Sequence, residues 1–111
     1  MTAITITKGD ILTVEAKGHA DYAEKGSDIV CSAVSILAYT LAEYLNTAYE
    51  SGLLEEKPLI QLNSGDLRIE CKPTKEALHY ITNTFAFVRL GYAIIANTYP
   101  DNVKLNESSL R

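Results

Sequence analysis

His19 and Cys31 are the two residues of this 111-residue chain whose types and spacing point most directly to chemistry. They stand twelve residues apart in "KGHADYAEKGSDIVCSAVSILAY", and the small, polar, glycine-bounded segment between them ends where an apolar helical pattern begins. A thiol attacks as its thiolate, and an imidazole able to take the proton makes that form available near neutral pH. With Asp28 as N-cap, Cys31 is the third helical residue; with Ser27 it is the fourth, so the sulfur lies in the first turn either way. Free amides and the positive end of the helix dipole favour a thiolate there. Asp28 opposes it by like charge, which makes His19 the natural cationic neighbour. On a helical wheel Cys31 lies about 100° from Val30, at the edge of the buried face and not in its middle.

The elements around this pair follow from periodicity. Ile4 and Ile6 alternate with threonines over Thr2 to Thr7, and after the turn Lys8, Gly9, Asp10 the run Ile11 to Lys17 alternates Leu12, Val14 and Ala16 with polar residues, which predicts a hairpin. From Ile29 the period lengthens, with Val30, Val34, Leu37, Leu41 and Leu45 on one helical face up to about Glu50, before Ser51 and Gly52. Alternation returns from Pro58 to Asn63, turns at "NSGD", and places Leu67, Ile69 and Cys71 on one face of a second hairpin. After Pro73, with Thr74 as N-cap, Leu78, Ile81, Phe85, Val88, Tyr92 and Ile95 mark a second helix ending near Asn97. "NVKL" is a candidate fifth, edge strand. The order ββαββα predicts an α+β two-layer sandwich, an antiparallel sheet from two hairpins with both helices on one face, in one domain over residues 1–111. Phe87, Leu90 and Ile94 lie off the stripe of the second helix. Either a homodimer contact covers them or the helix is sunk in its own core.

In such a fold Gly18 and His19 end the second strand, and a strand end can meet the start of the next helix. The intervening "ADYAEKGSD" has the composition of an exposed segment able to close over a ligand, or of an ordinary connection. Ser35, one turn beyond Cys31, is placed to hydrogen-bond a substrate or the histidine.

Other chemistries lack support. Cys71 shares the inward face with Leu67 and Ile69 and reads as an inert core thiol. His79 reads as a boundary polar group. Two histidines without a Cys or Asp constellation give no zinc site, and "NSGD" is a hairpin turn and not a phosphate cradle, so neither metal nor cofactor is expected. A net charge of −4 with ten Lys and Arg offers no footprint for nucleic acid. The N-terminal residues lack a signal-peptide pattern and no stretch reads as a membrane span, so a cytoplasmic protein with thiols kept reduced is expected.

The segment "GHADYAEKGSDIVCSAVS", Gly18 to Ser35, resembles the ribosomal-processing cysteine proteases of the Prp family, and the length and order of elements agree over nearly the whole chain. The resemblance implies a cytoplasmic homodimer that removes a short N-terminal extension from large-subunit ribosomal protein number twenty-seven, cutting after a hydrophobic, aromatic-rich sequence. It implies Cys31 as nucleophile and His19 as its partner, with Gly18, Asp28 and Ser35 in supporting positions; none of the five departs from the family pattern. It also implies a substrate loop of Ala20, Asp21, Tyr22, Ala23, Glu24, Lys25, Gly26 and Ser27 that rearranges when the peptide enters. First-turn amides are the expected oxyanion donors, and Asp28 is a candidate to orient the imidazole if capping leaves it free. A non-enzymatic dimeric ribosome-associated binding protein is the main alternative, and a redox sensor pairing Cys31 with Cys71 a third.

The two cysteines separate these readings. Alkylation of the folded protein by iodoacetamide at neutral pH should label Cys31 far faster than Cys71, with the excess shrinking in His19→Ala. Equal labelling would favour the binding-module reading.

Overall fold

The β-branched alternation near the N-terminus does form a hairpin. In the computed structural model, which describes residues 1–24 and 28–109, β1 (Thr2–Lys8) pairs antiparallel with β2 (Leu12–Lys17). Helix α1 (Ile29–Glu50) follows, then β3 (Leu59–Asn63), β4 (Asp66–Cys71), α2 (Leu78–Thr98) and β5 (Val103–Ser109). The strands form one sheet in the order β3-β4-β2-β1-β5. Register places Ile4 opposite Ala16, Ile6 opposite Val14, Val14 opposite Ile69 and Leu12 opposite Cys71. All of these are buried, so the pleat carries one continuous apolar face across the sheet. The α+β sandwich expected from the sequence is thus present, with two changes.

The sheet is mixed, and the order is ββαββαβ, because β5 runs parallel to β1. Without β5, β1 would present an unpaired edge. A parallel neighbour needs a crossover, and α2 supplies it. The N-terminus of α2 also differs from expectation: Thr74 caps a preceding turn, its hydroxyl accepting from the Ala77 amide at 3.2 Å, and the regular helix begins at Leu78.

Val30, Val34, Ala38, Leu41, Leu45 and Ala48 of α1 are buried, as are Ile81, Phe85, Val88, Tyr92 and Ile95 of α2. The two helices meet closely where Leu37 covers Gly91: a Cβ on Gly91 would lie 2.8 Å from a Leu37 methyl carbon. Tyr92 is wholly buried, its hydroxyl donates to the Val34 carbonyl, and burial pushes its phenol well above the ordinary value. Phe87, Leu90 and Ile94 are 77%, 55% and 66% exposed, which rules out their burial in the core of their own chain. One expectation about membranes is corrected: α1, at 22 residues with mean hydropathy 1.4 over its most apolar window, is long and apolar enough to cross one. Its stripe from Val30 to Ala48 is spent on the protein core instead.

Asp28 starts α1. Its Oδ1 accepts from the amides of Val30 and Cys31, both at 2.9 Å, while Oδ2 accepts from Tyr22 at 3.0 Å and Ala23 at 3.3 Å. One carboxylate therefore caps the helix and tethers the preceding segment. Burial pulls its pKa upward, but the amides of Cys31, Ala23 and Tyr22 and the Cys31 thiol together hold it below the ordinary 3.8. Because the folded state binds this proton less tightly than the unfolded state, the stabilisation is complete above the unfolded value. It is lost as pH falls through the lower folded one.

Asp28→Ala should cost about 1–2 kcal/mol in urea unfolding at neutral pH, and the deficit should shrink on acidification below the ordinary carboxylate value. Asp28→Asn, with one accepting oxygen, should keep the helix cap but expose residues 20–24 to limited proteolysis. A deficit independent of pH would refute the charge-based account.

Candidate active site

The end of β2 and the start of α1 supply the two reactive side chains. After Lys17, Gly18 takes φ +93°, and a Cβ there would lie 2.4 Å from the Met1 carbonyl oxygen, so only glycine fits. The chain leaves the sheet at this point and carries His19 to an exposed position. Ala20 then turns inward, 1% exposed, and its carbonyl accepts from Asn102 Nδ2 at 2.9 Å. Asp21 holds a left-handed φ of 56°, a conformation that short polar side chains tolerate. The Tyr22 ring packs edge-on against Tyr99, centroids 5.2 Å apart. Asp28 closes the segment by taking the Tyr22 and Ala23 amides. Lys25, Gly26 and Ser27 of the expected substrate loop lie outside the described residues.

Cys31 is half-buried in the first turn of α1. Ser35 follows one turn later, also half-buried. Two adjoining clefts open here, and His19, Cys31, Ser35 and Ser64 line both. Asp21 and Asp28 border one, and Gly18, Gly65 and Tyr39 border the other. The fold thus gathers the histidine, cysteine and serine named from the sequence at one place.

One expectation about Asp28 is corrected, and one about its helix turn is narrowed. Of the first-turn amides expected as oxyanion donors, those of Val30 and Cys31 are bonded to the Asp28 carboxylate and that of Ser32 to the Asp28 carbonyl at 3.1 Å. Both oxygens of Asp28 are likewise engaged by backbone, so this carboxylate serves as cap and tether and not as an orienting group for the imidazole. Sequence reasoning missed Ser64, Gly65, Asn63 and Tyr39. Tyr39 sits two turns beyond Cys31 on the same helix, a spacing that would have found it. The other three belong to the β3–β4 turn, whose placement depends on strand pairing.

The remaining candidate residues are structural or peripheral. Cys71 is 3% exposed, and burial, with Glu70 adding to it, pushes its thiol up to about 12, which suits a core filler and not a resolving thiol. His79 is exposed on α2, within 3.3 Å of Asn83 Nδ2.

Comparison with known proteins agrees with this arrangement. A family model described as cysteine protease Prp matches residues 1–104. The ribosomal processing cysteine protease Prp of Mycoplasma genitalium is 35% identical over 95 residues, covering 85% of this chain and 86% of that protein. An essential ribosomal processing protease Prp from S. aureus, solved with a covalently linked product peptide, superposes with a TM-score of 0.64 at 29% identity, covering 96% of this chain and 99% of that one. A protein from Streptococcus mutans superposes with a TM-score of 0.71 at 25% identity, covering 99% and 96% of the two chains. Fold, site and sequence together decide against the non-enzymatic alternative: the chain belongs to the Prp family of ribosomal processing cysteine proteases.

Proposed function

We propose that this protease removes an N-terminal extension from large-subunit ribosomal protein number twenty-seven, with Cys31 as nucleophile and His19 as its general base and acid. The observation that carries the assignment of roles is that His19 and Cys31 line the same two clefts, beside Ser35. His19 takes the thiol proton, and the sulfur attacks the scissile carbonyl carbon. The histidinium then protonates the departing amine, leaving a thioester on Cys31. His19 next removes a proton from water as it attacks the thioester, and returns it to the Cys31 sulfur when the carboxylate product leaves. The oxyanion is formed twice. With the amides of Val30 and Cys31 committed to Asp28, the hydroxyls of Ser35 and Ser64, which line both clefts, are candidate side-chain donors to it. Asp21 and Ala23 of the expected substrate loop line one cleft, and rearrangement of the loop on peptide entry would break contacts that Asp28, Tyr99 and Asn102 make with residues 20–23.

The substrate class fits the charge. A chain of net charge −4 attracts a basic ribosomal protein and gives no purchase on nucleic acid phosphates. The proposed setting is the cytoplasm, away from any membrane. We further propose a homodimer through α2, where Tyr80, Phe87 and Ile94 recur every seven residues with Leu90 between them, all at least 55% exposed.

Cys31→Ala should abolish cleavage of an aromatic-rich precursor peptide, followed by mass spectrometry, while circular dichroism stays unchanged. His19→Ala should lower kcat by about two orders of magnitude or more with KM little altered, since the imidazole acts on protons and not on affinity. Full activity in either variant would overturn its role. For the dimer, sedimentation at micromolar concentration should give twice the chain mass of 12.2 kDa, and Leu90→Glu should give monomers. A monomeric parent protein would refute association through this face.

A further inference from the structure

We infer that the β3–β4 turn is part of the catalytic apparatus and that Gly65 is the positioning residue of the His19 imidazole, a role that rests on the reading of His19 as base. The sheet register brings the two together. Lys17, the last residue of β2, pairs with Asp66, the first of β4. One step further out, the Gly18 amide donates to the Gly65 carbonyl at 2.9 Å, which ties the turn to the backbone that carries the histidine. The imidazole lies directly over the turn: a Cβ on Gly65 would stand 2.7 Å from His19 Nε2, 2.8 Å from Cε1 and 3.4 Å from Cδ2.

His19 is exposed and lies just beyond a strand, so a packed core does not select its rotamer. The flat surface of Gly65 meets the ring edge and limits its swing, and any side chain there would drive the ring out of its place in the clefts that Cys31 also lines. The φ of +73° at Gly65 adds a second reason for glycine. Gly52 shares the conformation without the contact: its φ is +78°, and a Cβ there would meet nothing within 4 Å. These two glycines therefore separate backbone strain from contact with the imidazole.

The test compares Gly65→Ala with Gly52→Ala in the full chain. Both should lose thermal stability from strain, Gly65→Ala the more because its Cβ also meets the imidazole, but only Gly65→Ala should lower kcat, by about 10- to 100-fold with KM nearly constant, and only it should shift the His19 Cε1 proton resonance. In a His19→Ala background, Gly65→Ala should have no further effect on the residual rate, and its stability loss should fall to that of Gly52→Ala. Gly65→Asn, which tolerates the left-handed conformation while carrying the same Cβ, is read in the same way should the alanine variant not fold. An unchanged His19 resonance and a kcat equal to that of Gly52→Ala, with His19→Ala inactive, would overturn the positioning role alone. Full rate in His19→Ala would overturn the base and the positioning role together.

Discussion

Four backbone amides converge on the carboxylate of Asp28, and the layout of the active site follows from that convergence. A helix start leaves amides unsatisfied, and so does a segment that crosses from a sheet to a helix; a buried carboxylate accepting from both resolves the two problems at once. The result is that Cys31, whose amide is one of the four, sits in fixed relation to the segment that begins at His19. Burying this charge is costly in itself, and the amides reverse the effect, holding the group ionised. The same commitment engages the amides of Val30 and Cys31, beside clefts that the hydroxyls of Ser35 and Ser64 also line.

The second constraint is the sheet. Because β2 lies between β1 and β4, its last residue is flanked on one side by the start of β1 and on the other by the β3–β4 turn. Crowding by the Met1 carbonyl makes glycine necessary at position 18, and the turn supplies a surface for the histidine. Strand pairing thus does for His19 what the carboxylate does for Cys31. Neither reactive side chain lies in the interior, yet each is held by an element that does.

The packing leaves the remaining surfaces with distinct characters. The helices cover one face of the sheet, while the opposite face carries Glu15, Arg68 and Glu70, with Arg68 bonded to Glu15 at 2.6 Å and to Glu70 at 3.2 Å. Exposed pairs of this kind add little stability but keep the open face wet and unattractive to other sheets. Exposed apolar side chains stand on both helices, Ile36 and Tyr39 on α1 and Tyr80, Phe87, Leu90 and Ile94 on α2. Bidentate pairing of Arg89 on α2 with Glu107 on β5 joins that helix to the edge strand.

The sequence by itself determined both hairpins, both helices to within a few residues and the inward faces of all four, because period two and period 3.6 are local properties of a chain that must bury one side. It also placed a thiol in the first turn of α1 and a histidine just past the end of β2, and allowed the two to meet without deciding that they do. Only the tertiary structure decided that β5 joins β1 in parallel, that Thr74 caps a turn short of the helix, and that the amides of Val30 and Cys31 are already taken. It alone placed Ser64 and Gly65 in the site. Their turn is recognisable in "NSGD", but its neighbours are not, for β4 pairs with β2 across a gap of about fifty residues. Which strand lies beside which is settled by the shared apolar face and the crossover of α1, interactions between distant parts of the chain that no local pattern records.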